Sequence, residues 1–142
     1  MEELFELKKH IEQGNYAEAL TVIAEMEEMS RDDKISKIFS YIEILLIHLI
    51  RQHSENRSTR SWEASIRNLI YKINYINKRR KVGGYYLSEK ELEEIIADAW
   101  KVAVVSASLE AFEGRYDDAE LARKIDPDRI RKEALKLLAD AR

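Results

Sequence analysis

The chain has 142 residues, enough for one core that buries about two-thirds of the unfolded surface. Hydrophobic residues make up 45% and charged residues 36%, an ordinary balance for a soluble globular protein, while one proline and four glycines are too few for a turn-rich all-β fold. With no cysteine, disulfides, thiolate metal sites and cysteine nucleophiles are excluded, and a formal charge of −3 argues against a dedicated nucleic-acid binder.

The acidic, amphipathic start MEELFELKKHIEQG does not read as a signal peptide. It predicts a first helix from Glu2 to Gln13, with Leu4, Phe5, Leu7 and Ile11 on one side and Gly14 as its C-terminal stop. Asn15 suits the cap of a second helix, Tyr16 to Met29. Ser30-Arg-Asp-Asp33 then offers a cap hydroxyl and first-turn acids for a third, running to about Glu55. Between Tyr41 and Ile50 that helix is apolar almost all round, the mark of a central helix surrounded by others. The run holds Glu43 and His48 and is far shorter than the roughly 20 residues a bilayer requires.

Ser54 to Ser61 forms a polar connection, with Ser61 expected to cap the fourth helix. Its apolar seam, Trp62, Ile66, Leu69, Ile73 and Ile76, advances by alternating steps of four and three. Gly83-Gly84 ends the segment. Ser88-Glu-Lys-Glu91 is a capping box for a fifth helix reaching about Glu113, with Leu92, Ile95, Ile96, Ala99, Trp100 and Ala103 inward. A short helix from Tyr116 to Ile125 and a last one, capped by Asp126 and opened by Pro127, complete the chain. No segment alternates as a strand would. Gly14-x-Tyr16-x-x-Ala19 and Gly114-x-Tyr116-x-x-Ala119 share one pattern, 100 residues apart, and read as two similar helical turns rather than a 34-residue repeat array.

The stretch from Arg51 to Lys81 carries nine bases against two acids, a local charge of +7 in a chain whose remainder sums to −10. Arg67, Lys72, Lys78 and Arg79 fall away from the seam, and Asn68, Tyr71, Asn74 and Tyr75 interleave with them. Such donors and ring faces suit phosphates and bases. A bland account stands beside this one. Cations at a helix C-terminus are favoured by the dipole, and the acidic remainder can pair with them within the molecule or across a dimer. Arg60 and Arg67 bracket Trp62 and could clasp one anion, with Arg57 in the preceding loop.

Catalytic signatures are missing. His10, His48 and His53 lack metal-ligand spacing, and the carboxylates fall in solvated runs. No arginine stands five to seven residues before His48 or His53, as one class of helical ribonuclease requires. His48, within the most apolar helix, reads as a hydrogen-bonded structural histidine. The runs LLIHLIRQHSENRSTRSWEASIRNLIYKI and NKRRKVGGYYL, with EEMSRDDKI and ASLEAFEGRYDDAE, resemble an uncharacterised all-helical family widespread in cyanobacteria, domain of unknown function 29. The resemblance implies a helical bundle and transfers no activity, substrate or cofactor.

These readings give a single all-α domain over residues 1–142, a cytoplasmic bundle centred on three long helices. The expected role is a non-catalytic protein-interaction or self-associating module, with a protein partner or a homo-oligomer and no membrane. The alternatives are nucleic-acid binding through Arg51–Lys81, and an enzyme with a site around His48, Arg60 and Trp62. Arg57, Arg60, Trp62 and Arg67 form the candidate anion or partner patch. No metal or cofactor is expected.

Overall fold

Six helices and one 3-10 turn account for the secondary structure of residues 2–142, the part of the chain described by the computed structural model. They are α1 (Glu2–Glu12), α2 (Tyr16–Glu55), α3 (Arg60–Asn77), α4 (Glu89–Glu110), the 3-10 turn Ala111–Gly114, α5 (Asp118–Ala122) and α6 (Pro127–Asp140). No strand occurs among the described residues beyond one isolated bridge, Lys78 to Tyr85. The all-α fold class read from the sequence is therefore observed. Two compact units divide the chain, one ending at Ser36 and the other covering Lys37–Arg142.

In the first unit, Gly14 ends α1 at a φ of +74°, and the Asn15 amide donates back to the His10 carbonyl at 2.8 Å. That is the left-handed stop expected of glycine. Ala19 and Val22 are the buried residues of this unit, and α1 buries none. The predicted break at Ser30–Asp33 does not occur, because α2 runs unbroken for 40 residues. With neither glycine nor proline nearby, serine and aspartate inside a helix cost only tenths of a kcal/mol each, roughly 0.7 at most. Arg31 and Asp33 also engage partners there.

The core of the second unit begins on α2, where Ile38, Ile42, Leu45, Leu46, Leu49 and Ile50 are at most 1% exposed. Each such side chain contributes about 1.5–3 kcal/mol by leaving water. Ile44 stays 42% exposed, so α2 is covered on a broad face rather than surrounded as its composition suggested. On α3, Trp62, Ile66, Leu69 and Ile73 of the predicted seam are buried, and Ile76 is half-buried. The cap of α3 is Thr59, two residues before the expected Ser61; its Oγ1 accepts the Trp62 amide at 3.0 Å. Thr59 already sits in the extended conformation a cap needs, which places Ser61 inside the first turn.

Ser88 and Glu91 form the reciprocal capping box that starts α4. Leu92, Ile95, Ile96, Ala99 and Ala103 are buried along it, whereas Trp100 is half-buried under the Arg131 guanidinium, 5.6 Å from the ring centre. The helix stops at Glu110, three residues early. Phe112, Glu113 and Gly114 follow in left-handed backbone, at φ of 52°, 58° and 76°. A Cβ on Gly114 would lie 3.1 Å from the Leu109 carbonyl oxygen, so only glycine fits without a shift. The two glycine turns at Gly14 and Gly114 thus share a backbone, but Ala19 is buried and Ala119 exposed, so the likeness ends there. Asp117 with Glu120 caps α5, and Asp126 with Pro127 opens α6, whose Ile130, Ala134 and Leu138 are buried. α6 packs against both α4 and α3.

Candidate functional site

Helix α3 carries positive charge at both ends, and the two ends are built differently. At its start, α2 terminates in Asn56, whose φ of 49° is the left-handed turn that asparagine tolerates better than any other non-glycine residue. The turn is closed by the Arg57 amide, which donates to the Gln52 carbonyl at 3.2 Å. It aims the Arg57 side chain at Trp62. The guanidinium carbons of Arg57 and Arg51 both lie 4.6 Å from the Trp62 ring centroid, and the ring is only 8% exposed. Each such contact is worth roughly 0.5–2 kcal/mol.

Acids pair with two of the three arginines at this end. Glu55 accepts from Arg51 Nε at 3.3 Å and from Arg57 at 3.2 Å, and Arg51 also pairs with Glu110 at 3.6 Å. Arg60 is exposed at the first residue of α3, and Arg67 lies elsewhere, two turns along. The structure therefore brings Arg57 and Trp62 together and separates Arg67 from them. The Arg51–Glu55 spacing of four residues is a signal for this network that the sequence already contained.

His48 is half-buried on α2, and its Nδ1 is sealed from solvent without a hydrogen-bond partner. The expected hydrogen-bonded histidine is thus incomplete at that nitrogen. Burial pushes its pKa below the usual histidine value; the Glu110 carboxylate opposes this and the Arg51 charge adds to it. His53 Nε2 lies 2.6 Å from the Glu133 carboxylate, tying α2 to α6. Among the described residues, no three histidine, aspartate or glutamate side chains cluster as metal ligands would.

At the far end of α3 a groove of about 600 Å³ opens between this helix and the C-terminal part of α6. Arg67, Ile70, Tyr71, Asn74, Tyr75 and Lys78 supply one wall. Leu137, Asp140, Ala141 and Arg142 supply the other, and Tyr85 closes the end. Tyr71 and Tyr75 are 69% and 51% exposed, and their rings stack at 6.1 Å between centroids with 23° between planes. The Arg80 guanidinium stands 4.3 Å from the Tyr75 ring, and that of Arg142 stands 4.2 Å from Tyr85. Asn74 joins the walls by donating from Nδ2 to the Leu138 carbonyl at 3.1 Å.

The loop bearing Tyr85 is held by one side chain. Asn77, fully buried, accepts the Leu87 amide on Oδ1 at 2.8 Å, and its own carbonyl accepts the Tyr86 amide at 2.8 Å. Gly83 and Gly84 turn the loop at positive φ, and Arg79 donates to the Gly84 carbonyl at 2.9 Å. Lys78, Arg79, Arg80 and Lys81 consequently sit past the last residue of α3, on an exposed loop. The helix dipole decays within one turn, so it does not account for the whole cluster, as the sequence had suggested. No ion pair engages Arg67, Lys78 or Arg142 among the described residues, in contrast to the opposite end.

The architecture defines a helical protein with no strand among its described residues and no described helix long and apolar enough to cross a membrane. The sequence pattern of the domain of unknown function DUF29 matches residues 6–121, and the chain belongs to that family. No curated protein and no solved structure matches the chain.

Proposed function

We propose that this protein is a non-catalytic interaction module that associates with a second copy of itself. The exposed apolar side of the first unit carries this reading. Leu4, Phe5, Ile11, Tyr16 and Leu20 are all exposed, and two helical segments that bury only Ala19 and Val22 are poorly stabilised without a partner surface. On α4, Val102, Val105 and Leu109 form a second exposed stripe at helical spacing. Charge supports a second copy as the partner: residues 2–36 hold ten acids against four bases, complementary to the +7 stretch from Arg51 to Lys81. Sedimentation across the micromolar range tests it. The mass is expected to rise above the 16.7 kDa monomer and to return to it in a Phe5→Glu/Leu20→Glu variant. A monomer at every concentration, with no protein retained in a pull-down, would overturn it.

A second reading, nucleic-acid binding through the basic stretch, is favoured by one observation. Two stacked tyrosine rings stand exposed on the same face as Arg67 and Lys78. Titration with labelled DNA and RNA at low and high salt checks it, because phosphate contacts give a steep salt slope. The third alternative, a catalytic site at His48, Arg60 and Trp62, gains no support from the geometry. Trp62 is covered by Arg51 and Arg57, and Arg60 is exposed at the start of α3.

A further inference from the structure

We infer that the groove between α3 and the end of α6 is a binding site for single-stranded nucleic acid, a proposal that rests on the nucleic-acid reading above and gives it a place. Position on the helix is the first support. Arg67, Tyr71 and Tyr75 follow one another at steps of four, with Asn74 beside Tyr75, and the C-cap Lys78 comes three residues after Tyr75, so they form a single stripe along α3 and its end. From Arg67 to Lys78 the stripe runs about 16 Å at 1.5 Å per residue, a span for a few nucleotides rather than one. Cations stand at both ends, with ring faces between them. A single strand presents that order of groups, phosphates alternating with planar bases.

Ring exposure is the second support. Tyrosines used for packing bury their faces, and Tyr71 and Tyr75 do not. They are held nearly parallel, and Arg80 covers one of them from the side of the Gly83-Gly84 loop. Base–aromatic stacking tolerates any sequence, because every base has a π-face. A duplex keeps its bases inside the stack and could reach only the cations. Charge is the third support: Arg67, Lys78 and Arg142 line the groove with Asp140 as its single acidic side chain, and none of the three has an ion-pair partner among the described residues, the Arg142 guanidinium donating only to the Leu87 carbonyl at 3.2 Å. The apolar floor of Ile70, Leu137 and Ala141 matches the edges of sugars and bases.

The test uses the full chain and fluorescein-labelled ten-nucleotide oligothymidylate and oligouridylate, followed by anisotropy at low and moderate salt. A duplex of the same length and a labelled decaglutamate peptide are titrated alongside. The single strands are expected to bind more tightly than the duplex or the peptide. Tyr71→Ala and Tyr75→Ala should each weaken them by about tenfold, and Arg67→Gln should lower the salt slope by about one. Both tyrosines are exposed, so unchanged circular dichroism and melting will show that the variants are folded. If single strand and duplex bind equally and respond only to Arg79→Gln/Lys81→Gln, the groove falls while the wider nucleic-acid reading stands. If no nucleic acid binds at low salt, both fall. Equal binding of decaglutamate with the same tyrosine dependence would also overturn the proposal, in favour of an acidic peptide.

Discussion

The two ends of α3 use the same residue types to opposite effect. At the start, arginine meets an aromatic ring that is buried, and Glu55 and Glu110 pair with Arg51 and Arg57. At the end, the Tyr71 and Tyr75 rings are exposed, Arg80 stands over the second of them, and among the described residues no carboxylate pairs with Arg67, Lys78 or Arg142. The first arrangement is a clasp between α2 and α3, with its binding capacity already used within the molecule. The second leaves ring faces and cations for something outside it. A cation near an aromatic ring is therefore not a site by itself; what matters is whether local carboxylates have already satisfied it.

Trp62→Ala should have the largest effect. It empties a core position and strips two guanidiniums of their ring, so a loss of about 3–5 kcal/mol in urea unfolding is expected. A loss under about 1 kcal/mol would make the clasp dispensable. Asn77→Ala comes next, at about 1–3 kcal/mol, because it leaves the buried Leu87 amide without an acceptor. It should also weaken any groove ligand by loosening the loop that carries Tyr85. Glu55→Gln removes the shared carboxylate of Arg51 and Arg57 for about 1–2 kcal/mol. Unlike Trp62→Ala and Asn77→Ala, this variant should gain anion affinity at the clasp, read by titration with inorganic phosphate.

A smaller effect follows from His48. Its pKa is lowered in the folded state, so below about pH 6.5 the unfolded chain binds the proton more readily. Stability contributed by the neutral ring is present above that pH and declines as the pH falls through it. Melting of the His48→Gln variant should decline less over that window, and an identical decline would assign the acid sensitivity elsewhere. Tyr71→Ala should change stability least, within about 0.5 kcal/mol, which is the sense in which the groove is not architecture.

The α3 seam, the Ser88–Glu91 capping box and the Asp126-Pro127 start were legible because each is set by residues within a turn or two of one another. Local chemistry misled at Ser30–Asp33, where a good cap sequence had nothing to break the helix. Of the cations the sequence turned outward, Arg67 and Lys78 line the groove, whereas Lys72 stands over the Tyr41 ring and Arg79 over the Tyr86 ring. What completes the groove was not legible. Leu137, Asp140 and Arg142 come from some 60 residues further along, and no periodicity announces that α6 will lie there. Arg57 posed the opposite problem. Its partner Glu55 is two residues away, but only the left-handed turn at Asn56 makes that neighbour reachable.

Asn77 has one more consequence, and it concerns time. The Leu87 amide lies outside every helix, yet a buried side chain holds it at 2.8 Å and solvent does not reach it. In a hydrogen-exchange experiment it should behave as a core amide, slow beside the fast-exchanging amide of Gly84. The loop between α3 and α4 would then have a still root and a mobile tip. The still root positions Tyr85, while the tip follows directly on the exposed cations Lys78 to Lys81.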